Sequence, residues 1–152
     1  LQISLIGSTC IYQGEELGLE DVSDIPKEKM KDPWGIEFAP TFLGRDTCRT
    51  PMVWNKNLPN GGFSKAKTTW LPVSDKHLER AAIDSALDPN SIYNDLAKFL
   101  KWRKKQSAMT EANCILNIAG DDTEISFDRE SDDQTLHCNF NFKTLTASFE
   151  EI

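Results

Sequence analysis

The stretch Ser8-Thr9-Cys10-Ile11-Tyr12-Gln13-Gly14-Glu15-Glu16-Leu17-Gly18 decides the fold. Cys10, Ile11 and Tyr12 make a short continuous apolar centre, which predicts a buried strand over residues 8–13 closed by Gly14. Residues 1–6 before it read as the last turn of a helix stopped by Gly7. Such a strand needs neighbours on both sides. A single strand cannot make a parallel sheet, so the chain is expected to be one end of a larger protein.

From residue 15 to about residue 76 no period holds, and six of the seven prolines punctuate the stretch. Three of the four Trp (Trp34, Trp54 and Trp70) lie there with Phe38, Phe42 and Phe63, a composition unsuited to disorder. The segment is therefore expected to be a long, ordered, functional loop. Asp88-Pro89 then offers an N-cap and a first-turn proline. Ile92, Leu96, Phe99 and Leu100 follow the spacing of a half-buried helix, with Arg103, Lys104 and Lys105 at its negative pole. Beyond it the period falls to two. Ile125 and Phe127, then Leu136, Cys138, Phe140 and Phe142, then Leu145, Ala147 and Phe149 alternate with polar residues, with a polar turn at 130–134. The tail reads as an antiparallel sheet packed on one face.

The formal net charge of -7 and the acidic pI near 4.8 argue against nucleic acid or an anionic membrane as partner. No apolar run approaches the roughly 18 residues of a spanning helix, and residues 1–6 do not make a secretory leader. The expected setting is cytoplasmic, with reduced thiols. The 4 cysteines (Cys10, Cys48, Cys114 and Cys138) show no CxxC spacing, and only His77 and His137 could join them. No metal site and no cofactor are predicted.

The strings Ile11-Tyr12-Gln13-Gly14-Glu15-Glu16-Leu17-Gly18, Gly44-Arg45-Asp46-Thr47-Cys48-Arg49-Thr50-Pro51-Met52, Gly61-Gly62-Phe63-Ser64, Thr69-Trp70-Leu71-Pro72-Val73 and Asp88-Pro89-Asn90-Ser91 occur in that order. With them the chain resembles the oligosaccharide α-glucosidases of glycoside hydrolase family thirteen, the α-amylase family, over about residues 2–106. The resemblance implies an α/β fold. Residues 1–110 would be the last part of a (β/α)8 TIM barrel: the end of helix 7, strand 8, a long loop and helix 8. Residues 111–152 would be a partial C-terminal antiparallel β domain. It also implies a retaining hydrolase that removes terminal α-linked glucose from oligosaccharides such as maltose or isomaltose, with the remainder of the barrel as partner. Val53 departs from the residue usual before Trp54 in the family.

By the same resemblance Arg45 matches an arginine that binds the 4-hydroxyl of the non-reducing glucose while pairing with an upstream aspartate. A planar guanidinium suits both tasks, and equally suits a loop-anchoring salt bridge. Asp46 and Arg49 read as loop supports. Glu15 and Glu16 are adjacent at a strand end and point to opposite faces. They do not suit the two carboxyls, about 5 to 5.5 Å apart, that a retaining glycosidase needs. They are expected to support the site, and Tyr12 to line its floor or belong to the core. Trp54 and Trp70 could stack on a sugar or form the loop's own small core. The family's catalytic carboxylates lie on earlier strands, so this chain is expected to position substrate and to be inactive alone. The alternatives are a catalytically dead barrel scaffold, which would have no reason to keep Arg45, and a free-standing sugar-binding module.

Overall fold

Residues 11–97 fold without a strand. The computed structural model describes residues 1–111 and 119–152, so Cys114 lies outside the described residues. These divide into two compact units, Ile11–Ala97 and the combination of Leu1–Cys10 with Lys98–Ile152.

In the first unit, Gly14 (φ +98°) and Gly18 (φ +66°) bracket a 3-10 turn over Glu15–Leu17. Both take the left-handed backbone that glycine adopts without steric cost. α1 (Pro33–Phe38) begins at Asp32, whose side chain accepts from Trp34 N–H, with Pro33 in the first turn. α2 (Asp75–Leu78) and α3 (Ala82–Leu87) follow. Val22, Ile25 and Met30 form a buried cluster with Ala39 and Leu43 against it. Met52, Val53, Leu71 and Ala81 are also buried. Between these anchors the backbone ties itself together: Val22 N–H donates to Thr47 O (2.9 Å) and Ala82 N–H to Val53 O (3.0 Å). The loop read as aperiodic is thus a chain of single turns, each too short to show a period.

α4 (Ile92–Arg103) is the helix expected from the 92, 96, 99, 100 pattern, but its start differs. Ser91 Oγ accepts from Asn94 N–H (3.2 Å), the position of an N-cap. Asp88 Oδ1 instead accepts from Asn90 N–H (2.9 Å), closing a local turn three residues earlier.

The second unit carries the sheet. A 3-10 turn over Gln2–Ser4, not an α-helical turn, precedes Gly7, which takes φ +97°. α5 (Ser107–Thr110) follows α4, and then β1 (Ala119–Gly120), β2 (Glu124–Glu130), β3 (Thr135–Asn141) and β4 (Thr146–Glu151). The four strands form one antiparallel sheet in sequence order, with Phe127 opposite Cys138 and Cys138 opposite Phe149. Phe127, Leu136, Cys138 and Phe140 are buried with Ala108 and Met109, and Trp102, Ile125 and Phe149 pack against them. The Phe149 ring lies 5.1 Å from both Phe99 and Trp102. Phe142 and Leu145 leave the alternation because they sit in the β3–β4 turn, where Leu145 takes φ +55° and is 87% exposed.

The next inward position after Phe127 is Arg129, which is buried to 2% exposure. Its Nε donates to Ala108 O (3.1 Å) and its Nη1 to Ser4 O (2.9 Å), fastening α5 and the opening turn to β2.

The strand expected over residues 8–13 is absent: these residues join no ladder, and Cys10 and Tyr12 are exposed. The physical reason is the one that singled the stretch out. A parallel strand takes its hydrogen bonds from neighbours, and the only sheet among the described residues is the antiparallel one. No helix among the described residues is long and apolar enough to cross a membrane.

Candidate functional site

The sequence Lys31-Asp32-Pro33-Trp34 places an acidic cap at the head of α1, and Gly44-Arg45-Asp46 returns to it 13 residues later. Asp32 Oδ1 accepts from Trp34 N–H (3.1 Å). Its Oδ2 accepts from Arg45 N–H (2.8 Å) and from Arg45 Nε (3.2 Å). Asp46 reciprocates: its Oδ2 accepts from Lys31 N–H (2.5 Å) and Asp32 N–H (2.8 Å). Both aspartates are buried. The Arg45 N–H, foremost, with the Trp34 N–H and the Arg45 guanidinium, holds the Asp32 carboxyl below the usual carboxylate range; desolvation opposes this and loses.

The Arg45 side chain is 65% exposed and, with Asp32, Trp34, Phe38, Thr41 and Phe42, lines an open groove of ≈ 650 Å³. That lies within the range of about 300 to 1,000 Å³ for small-molecule sites. Trp34, 63% exposed, and Phe38 stand 5.7 Å apart, ring centre to ring centre. The wall is therefore aromatic, with one guanidinium at its edge. Such a surface offers apolar faces to a pyranose ring and fixed donors to its hydroxyls.

The other residues singled out in the sequence fall elsewhere. Glu15 Oε2 accepts from Tyr12 N–H (3.0 Å) and Glu16 Oε2 from Gly14 N–H (2.8 Å). Each glutamate thus folds its own turn. Tyr12 and Glu15 line a second concavity with Thr47, Cys48, Thr50 and His77. Asp46 is 2% exposed beneath the loop. Arg49 is exposed. Trp54 and Trp70 are exposed too, and Lys31 Nζ stands 5.6 Å from the centre of the Trp70 ring.

Sequence reasoning passed over Asp32, which is central to the groove, and considered His77 only as a metal ligand. Asp32 could have been suspected from Asp-Pro, the same cap signal read at Asp88-Pro89, but nothing local tells that its second oxygen reaches Arg45. His77 is buried; its Nε2 lies 2.8 Å from Glu20 O and its Nδ1 3.4 Å from Thr50 Oγ1. A carbonyl oxygen only accepts, so Nε2 carries the proton in that contact. His137, by contrast, pairs across the sheet with Asp128 at 2.6 Å. No group of three or more His, Cys, Asp or Glu among the described residues could hold a metal ion.

Comparison with known proteins extends these observations. Residues 1–112 match the family described as alpha amylase, catalytic domain. A probable alpha-glucosidase of Rhizobium meliloti (strain 1021) is 41% identical over 150 residues, 99% of this chain and 26% of that protein. A glucan 1,6-alpha-glucosidase of Streptococcus dysgalactiae subsp. equisimilis is 33% identical over 85% of this chain and 27% of its own length. Among solved structures, the alpha-glucosyl transfer enzyme XgtA superposes with TM-score 0.84 at 38% identity, over 93% of this chain and 26% of that one. The trehalose-6-phosphate hydrolase of Bacillus licheniformis gives 0.79 at 27%, over 92% and 28%. The chain spans about a quarter of the length of these relatives.

Proposed function

The chain belongs to the α-amylase family, and from that premise we propose that it is the substrate-positioning part of a retaining α-glucosidase that removes terminal α-linked glucose from oligosaccharides such as maltose or isomaltose. Its relatives named as glucosidases support this reading. The observation that carries it is the Arg45 guanidinium, tethered through Nε to a buried carboxylate yet open to an aromatic groove. A guanidinium so placed donates to sugar hydroxyls without first being ordered by the substrate.

In this proposal residues 1–110 close the (β/α)8 barrel and residues 111–152 begin its antiparallel C-terminal domain, in a cytoplasmic protein. Residues 8–13 take up strand pairing when the preceding strand is beside them. Barrel active sites are built from loops at the C-terminal ends of strands, which is where the loop from residue 14 onward would stand. Asp46 supports the site by holding the Lys31 and Asp32 amides behind Arg45, and Tyr12, Glu15, Glu16 and Arg49 are its further candidate supports. The bond-breaking carboxylates belong to the rest of the barrel. One attacks the anomeric carbon while another protonates the departing oxygen, and water then releases glucose with retained configuration. The likeness to an alpha-glucosyl transfer enzyme favours a second reading, in which a sugar hydroxyl takes the place of that water.

Arg45→Ala in the complete protein tests the proposal. Loss of the charge-assisted contact is expected to raise the barrier to glucoside cleavage by about 2 to 4 kcal/mol. Unchanged kcat/KM on maltose and isomaltose sinks it. Product analysis in the same assay separates hydrolysis from transfer, because only transfer yields a longer saccharide.

A further inference from the structure

Resting on that reading of Arg45, we infer that Asp32 is a positioning residue: one carboxylate oxygen fixes the Arg45 guanidinium at the groove while the other sets the aromatic wall facing it. An N-cap needs a single acceptor, which Ser or Thr supplies as well as Asp. Asp32 satisfies the cap with Oδ1 alone. Its Oδ2 is occupied by both the backbone and the side chain of Arg45, a contact no hydroxyl in that place could duplicate.

The burial of the pair is lopsided. The Asp32 side chain is 1% exposed against 65% for Arg45. Exposed ion pairs fix little, because two long side chains must be ordered to form them. Here the anion is immobile beforehand. Asp46 holds the Asp32 N–H from behind. Gly44 passes so close that a Cβ there would lie 3.0 Å from Asp32 Cγ and 2.8 Å from Gly35 N, at φ +67°. Only Arg45 has freedom to lose, and Nε is the atom that loses it. Its Nη groups take no hydrogen bond or ion pair with a described residue, so the outer edge of the fork is left for a ligand's hydroxyls. The same carboxylate heads α1, which carries Trp34 and Phe38, so both walls of the groove share one anchor.

The test is a double-mutant cycle in the complete protein with maltose and isomaltose as substrates. Asp32→Ser keeps a capping oxygen and removes the carboxylate from Arg45. It is expected to lower kcat/KM about 10- to 100-fold, the scale of a misplaced binding group, and Asp32→Asn to recover part of that loss. Combined with Arg45→Ala, Asp32→Ser is expected to add nothing further, since its effect passes through the arginine. An additive loss, or wild-type kcat/KM in Asp32→Ser, overturns the inference while leaving Arg45 its role. Wild-type kcat/KM in Arg45→Ala instead removes the reading on which the inference rests. Failure of both Asp32 variants to fold, judged by thermal melting, also overturns it, by making the residue a requirement of the loop alone.

Discussion

In the sheet unit the inward residues of β2 and β3 are mostly apolar, Phe127, Leu136, Cys138 and Phe140, packed with Phe149 and Trp102, and Arg129 is the one buried charge among them. In the loop unit several buried positions carry carboxylates or an imidazole: Asp32, Asp46 and His77. The first arrangement is held by apolar area that any neighbour of similar shape can supply. The second adds to its own apolar cluster a set of directed bonds to single groups, which fix atoms in place but leave little redundancy. In the proposed function, a segment that presents Arg45 at one position has use for the second kind of order. A supporting sheet is served by the first.

The largest expected effect tests the apolar side. Phe127→Ala is expected to cost about 3 to 5 kcal/mol through the cavity it leaves. Denaturant unfolding followed by Trp fluorescence measures it, and a loss under about 1 kcal/mol would mean the inner face is not packed as described. Next comes Arg129→Ala. It leaves the carbonyls of Ala108 and Ser4 without their donor inside the protein. The expected cost is about 2 to 4 kcal/mol. Arg129→Lys should restore less than half, because one ammonium cannot reproduce the fork that meets two divergent carbonyls.

Asp46→Ala probes the polar side, at an expected cost of about 1 to 3 kcal/mol confined to the loop unit. Hydrogen exchange on the complete protein reads it directly. The amides of Lys31 and Asp32 should exchange faster while those of β2 and β3 stay protected. Equal acceleration in the sheet would show that the two kinds of order are one cooperative system and that the contrast drawn between them is false.

The contrast also explains what the sequence could and could not tell. Apolar alternation is local, so the inward faces of β2 and β3, Phe149 of β4, the turn at 130–134 and the body of α4 were legible, whereas Ala147, expected inward with Leu145, is exposed. The cap of α4 was misplaced because Asp88 and Ser91 are both good caps, and only the Asn94 N–H contact chooses between them. Residues 8–13 read as a strand from their apolar centre alone, and no described residue pairs with them in a ladder. Arg45 and the loop-holding part of Asp46 were singled out in the sequence, but Asp32, which bonds both, was not. Asp32 meets Arg45 across 13 residues and His77 meets Glu20 across 57. No period or short spacing encodes a pair at such separations; only the folded loop does.

Acid gives the smallest effect and the sharpest discrimination between the units. Asp32 has a folded pKa below its unfolded value of about 3.9, so the folded chain binds fewer protons there. Its stabilisation is present above the unfolded value and is lost as the pH falls through the depressed folded one. The sheet unit has its own depressed carboxyls, Asp121 held chiefly by Thr123 N–H and Asp133 chiefly by the Ser107 hydroxyl, but both sit in exposed turns away from the apolar core. Protonating them unties turns and leaves Phe127, Leu136 and Phe140 packed. Protonating Asp32 removes the anchor of Arg45 and α1 together. On acidification below the ordinary carboxylate range, exchange protection should therefore fail first at Trp34 and Arg45 and last in β2 and β3. Asp32→Asn should abolish that early step, because the titrating group is gone. If the variant keeps the step unchanged, another carboxylate governs the loop and Asp32 is not its acid-sensitive tie.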